Sequence, residues 1–205
     1  MPQPSHVSVL GVPDPATLDD DLKVIWAKCV EKLGFVPNVF STYSKRPQRL
    51  RNFMAMYNEI MYSASGLSKL EREMVAVVVS SANRCYYCLV AHGAAVRQLS
   101  GDAELGEMMA LNYRVAKLDA RQRAMLDFAW KLTTTPNLVD DGDREGLRGV
   151  GLSEEDIFDL SETTAFFNLS NRMASTTDMM PNAEYHRSDR GVAFLAPVGK
   201  KKAAR

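Results

Sequence analysis

Apolar residues recur at spacings of three and four through almost every segment of this chain, while the alternation that marks half-buried strands is nearly absent. That periodicity predicts an all-α fold whose core forms where amphipathic stripes meet. Leu22, Ile25, Trp26, Cys29, Val30 and Leu33 place a first helix within 18–33, closed by Gly34. A new segment starts at Pro37, and after Pro47 the stripe Leu50, Phe53, Met54, Tyr57, Ile60 and Met61 runs toward Gly66. Ser68 and Glu71 then form a capping-box pattern at the head of a helix over about 69–84. Its apolar face is so broad, from Leu70 through Val79, that it predicts a buried central helix. A helix over 85–99 follows, stopped by Ser100 and Gly101. Others are expected over 103–112, 120–133, 143–150 and 154–179, the last capped by Ser153 and ended by Pro181.

Residues 1–180 read as a single all-helical domain with an informative core at 67–101. Leu118, Asp119 and Arg123 echo Leu67, Ser68 and Arg72 at the head of a second helix, so about 118–180 reads as a degenerate second copy. It has Ala124 where the first copy has Glu73, and no cysteine follows. Residues 181–205 mix charge with glycine, lack periodicity and read as an extended C-terminal arm.

Twenty-five basic residues balance twenty-five acidic ones, which offers no field to a nucleic acid or an anionic membrane. The basic end, Lys200, Lys201, Lys202 and Arg205, reads as a solvated terminus. The first residues lack the basic-then-apolar pattern of a signal peptide, and the most apolar run spans only 74–79, so a cytoplasmic protein is expected. Three cysteines in 205 residues make a disulfide framework improbable and draw attention to the two that lie close together.

Those two stand in Cys85-Tyr86-Tyr87-Cys88-Leu89-Val90-Ala91-His92, with Glu73 twelve residues before Cys85. On a helix, spacings of three and four bring Cys85, Cys88 and His92 onto one face. A cysteine in the first turn faces unpaired N–H groups and the positive end of the helix dipole, both of which favour a thiolate. His92 can take a proton from a thiol or return one to a leaving oxygen. Glu73, from an antiparallel neighbour, can orient the imidazole.

The order Glu, Cys-x-x-Cys, His resembles the active-site signature of the AhpD-like alkylhydroperoxidases of the carboxymuconolactone decarboxylase superfamily. Ser80, Asn83, Tyr87 and Cys88, with the run 182–186, resemble its peroxidase-related branch more closely. Many members carry His immediately before the second cysteine, where this chain has Tyr87. The resemblance implies an all-helical fold, a homo-oligomer such as a trimer or hexamer, and an antioxidant activity: peroxidase chemistry of the peroxiredoxin type. It implies a hydroperoxide attacking Cys88, Cys85 resolving the sulfenic acid as a redox-active disulfide, Glu73 and His92 relaying protons, and a separate dithiol reductant, protein or small molecule. No cofactor is implied.

Other readings use the same residues. Glu73, two thiolates and an imidazole are four plausible zinc ligands, although structural zinc usually staples small loops rather than long helices. A helical oligomer that senses oxidants through the pair is a third reading. A thioredoxin-like motif would follow a strand, and the preceding run here is helical. Cys29 reads as core, His6 and His186 as surface residues, and the methionines as core or subunit contacts.

Overall fold

In the computed structural model, residues 3–190 are described, and they contain nine α-helices and no strand. In chain order these are α1 (Asp20–Leu33), α2 (Asn38–Tyr43), α3 (Pro47–Tyr62), α4 (Lys69–Ala82), α5 (Tyr86–Ser100), α6 (Ala103–Asn112), α7 (Ala120–Thr134), α8 (Asp141–Gly149) and α9 (Glu154–Thr176). The all-α reading stands. Membrane-spanning length and apolarity are met by no helix among the described residues.

The broad stripe on α4 does what its width demands. Met74 through Val79 are all at most 1% exposed, because α5, α6, α7 and α9 pack around the helix on every side. Met74 and each of the four valines contribute about 1.5–3 kcal/mol through burial, so α4 is the organising element. Ser68 accepts from the Glu71 N–H at 3.2 Å while Glu71 accepts from the Ser68 N–H at 2.7 Å, closing the capping box. Asp119 and Gln122 cap α7 in the same way, and Arg121 ties the two helix heads together by donating to Glu71 at 3.0 Å. Arg72, only 2% exposed, donates to the Ile60 and Ser63 carbonyls at 2.9 Å and so pins the end of α3 to α4.

Three expectations shift. The stripe on α1 is only partly covered: Leu22 is fully buried, but Val30 and Leu33 are about half exposed and Cys29 is intermediate, because one side of α1 has no neighbour among the described residues. Helix α9 stops at Thr176, three residues early, where Asp178 turns left-handed at φ 48°. The expected arm lies outside the described residues from 191 onward. Its first part folds back: a 3-10 turn at Ala183–His186 packs on α5, held by Arg97, which donates to the Tyr185 and Ser188 carbonyls at 2.8 and 2.9 Å.

Candidate functional site

The site begins with a reversal. Helix α4 ends at Ala82, and Arg84 adopts a left-handed backbone, φ 53°, that an L residue occupies at a cost. The Cys85 N–H then returns to the Ser80 carbonyl at 2.9 Å, and α5 runs back along α4. Because the chain is still leaving that turn, Cys85 is the extended N-cap of α5 rather than a residue of its first turn. Cys88 lies inside α5. Both are free thiols, 2% and 0% exposed, in a small cluster with Tyr87, Ala174 and Met179.

The hairpin brings Glu73 to His92. Glu73 Oε2 and His92 Nδ1 are 2.7 Å apart, the side chains 7% and 14% exposed, and the imidazole and the Phe167 ring meet at 79° with centroids 4.6 Å apart. A carboxylate at Nδ1 fixes the tautomer and leaves Nε2 to exchange a proton. Both line a cavity of about 260 Å³ together with Tyr87, Ser170, Phe166 and Tyr185. The hydroxyl of Tyr87 accepts the Val39 backbone N–H at 3.1 Å.

The two thiols are unequal. Hydrogen bonding from the Cys88 thiol lowers Cys85 to about 7 against the opposition of burial, with the Cys88 backbone N–H, Ser175 and His92 acting in the same direction. Cys88 rises well above the usual thiol range, because it is the donor to Cys85 and is buried; Asn171 and Ser170 pull it part of the way back. The pair therefore titrates as a unit, with the first negative charge held on Cys85. Cys85 also borders a cleft of about 150 Å³ walled by Arg84, Ser175, Asp178 and Met180.

All four residues of the sequence constellation thus lie on the α4–α5 hairpin, with Glu73 and His92 in contact and the two cysteines coupled. Among the described residues, no group of three or more His, Cys, Asp or Glu side chains is arranged to hold a metal ion. Sequence reasoning missed the α9 contribution. Asn171 donates to Ser80 Oγ at 2.9 Å and accepts from Asn83 Nδ2 at 2.9 Å, so the polar residues flanking the reversal are held from across the core. The signal was there: Thr163, Thr164, Ser170 and Asn171 interrupt the buried face of α9 with polar groups. His6 also has a partner, Asp178 Oδ2 at 2.8 Å, and His186 meets Gln3 Oε1 at 3.0 Å and Tyr86 Oη at 3.3 Å.

The profile of the carboxymuconolactone decarboxylase family matches residues 47–129, the stretch that contains Glu73, both cysteines and His92. A crystal structure of an uncharacterized peroxidase-related protein from Silicibacter sp. TM1040 shares 55% identity over 93% of this chain and 100% of that one, with a TM-score of 0.88. Another, described as an alkylhydroperoxidase AhpD core and uncharacterized peroxidase-related protein from Ralstonia eutropha JMP134, shares 43% identity over 92% of this chain and 98% of that one, also at 0.88. The debrominase Bmp8 shares the fold at 19% identity, over 90% of this chain and 96% of its own, with a TM-score of 0.73. No curated protein matches the chain.

Proposed function

The chain belongs to the carboxymuconolactone decarboxylase family, on its AhpD-like, peroxidase-related side, and from that membership we propose that it reduces hydroperoxides through Cys88 and Cys85. The reading rests on one observation above the others: a buried pair of free thiols sits at the head of the same helix whose His92 is held at 2.7 Å by Glu73.

The Cys88 proton passes to His92, and the resulting thiolate attacks the terminal oxygen of the hydroperoxide. The O–O bond breaks, the alkoxide takes a proton from His92, and Cys88 becomes a sulfenic acid. Cys85 then attacks the Cys88 sulfur; an S–S bond forms, the S–O bond breaks, and hydroxide leaves as water with one proton. One hydroperoxide and two thiols give one disulfide, one alcohol and one water. A separate dithiol reductant reopens the disulfide, and the cleft beside Cys85 offers it a sulfur to attack. Buried carbon around Cys88 shields the sulfenic acid from further oxidation.

The test locates the sulfenic acid. Cys88→Ser is expected to be inert, while Cys85→Ser is oxidised once and is trapped by dimedone on Cys88, read by peptide mass spectrometry. The lower pKa of Cys85 and its open cleft favour a second reading in which Cys85 is attacked first. Dimedone on Cys85 in the Cys88→Ser variant would assign the roles that way. Equal peroxide consumption by wild type and both variants rejects the dithiol altogether. Steady-state turnover with a supplied dithiol separates an enzyme from an oxidant sensor, which oxidises once and stops.

A further inference from the structure

A larger hollow lies outside the catalytic cavity. It measures about 490 Å³, opens at the surface among α2, α3 and α9, and falls within the ~300–1,000 Å³ typical of small-molecule sites. Phe53, Met56, Phe166, Met173 and Met179 give it walls that are apolar and, where methionine contributes, able to repack around an irregular guest.

Two polar features break that lining. Thr42 is 3% exposed, and its hydroxyl has no hydrogen-bond partner, an arrangement that costs free energy unless something enters to satisfy it. At the rim stand Arg46 and Arg49, both exposed and neither in an ion pair among the described residues. Arg46 is the N-cap of α3, whose first turn carries no acidic side chain, so the helix dipole adds positive potential where the arginines already supply it. An apolar chamber with a cationic mouth and one unsatisfied hydroxyl selects an occupant with an anionic head and an apolar tail.

The hollow also adjoins the redox site. Phe53 and Phe166, with ring centroids 5.2 Å apart, line both this chamber and the Glu73–His92 cavity, and Met179 packs in the cluster of Cys85 and Cys88. Tyr43 on the same wall feels both Arg49 and Cys88 electrostatically. We infer that the chamber binds a monocarboxylate with an apolar tail, of the fatty-acid class. Resting on the peroxidase reading, we assign the organic substrate to that class as a hydroperoxide on the tail. The carboxylate is held by Arg46 and Arg49, and a tail that parts the Phe53–Phe166 pair carries its –OOH toward His92.

Calorimetric titration of the reduced full-length protein with decanoate, which cannot be turned over, tests the site independently of the chemistry. One saturable site per chain is expected, weakened about tenfold or more in the Arg46→Gln/Arg49→Gln variant and for decanol in place of decanoate. No saturable binding, or binding unaltered in that variant, overturns the site. So does absent binding with a sedimentation mass that changes on Met56→Glu, which assigns the face to a second copy of the chain. Decanoate binding without turnover of any hydroperoxide sinks the peroxidase reading and the substrate assignment while upholding the site. Equal kcat/KM for a fatty-acid hydroperoxide in wild type and the double arginine variant overturns the substrate assignment alone.

Discussion

A thiol that accepts a hydrogen bond and a thiol that donates one ionise at different pH, even three residues apart. Cys85, lowered to about 7 chiefly by the Cys88 thiol, is a thiolate above that pH and regains its proton below it. Its reaction with a small alkylating agent is therefore expected to fall about tenfold per pH unit below the midpoint, since only the thiolate reacts. Cys88→Ala removes the donor and should move that midpoint upward, as read by the pH profile of bimane labelling. His92→Ala and Glu73→Gln are expected to slow oxidation of the pair by roughly 10²-fold or more while circular dichroism stays unchanged. Unaltered pH–rate profiles in both would remove the relay from the account. Spacing made the Glu73–His92 contact and the Cys85–Cys88 pairing legible, because a helical repeat and one antiparallel neighbour fix which side chains meet. The inequality of the thiols was not legible, since it depends on Arg84 turning left-handed and leaving Cys85 at the cap, and on Ser170, Asn171 and Ser175 arriving from a helix some eighty residues later.

At the level of helices, α4 and α9 carry both the core and the polar brace behind the site. Asn171→Leu leaves Ser80 and Asn83 short of a partner and is expected to cost about 1–3 kcal/mol in denaturant unfolding, with a change in Cys88 reactivity that a purely structural defect elsewhere would not give. Leu160→Ala, fully buried on the same helix, should cost about 2–5 kcal/mol while leaving thiol reactivity intact. Periodicity located every long helix, because amphipathic stripes are written directly in residue spacing. Helix ends were harder: apolar residues continue past Thr176 to Met179 and Met180, and only backbone reversal at Asp178 ends α9. The stripe on α1 was overread for a different reason, since periodicity reports which side of a helix is apolar and not whether anything covers it.

Across the whole molecule, Leu111, Val115 and Phe158 are 84%, 67% and 65% exposed, side chains that a second copy of the chain would cover in the homo-oligomer the family resemblance implies. Sedimentation velocity is expected to give a trimer or hexamer rather than a single chain. The segments that close the redox site come from opposite ends of the sequence. The Met180 N–H bonds to the Val7 carbonyl, the Val9 N–H to the Thr177 carbonyl, and Gln3 reaches Pro181; of these residues Met180 walls the cleft at Cys85. Those few bonds work as stitches along a seam: they contribute little to the hydrophobic interior, yet they fasten Met180, one wall of the opening over the sulfur, to the first residues of the chain. Unpicking them by deleting residues 3–10 should leave the helical scaffold intact and quicken chemical labelling of Cys85, so that durability and reactivity are tuned by separate lengths of one thread.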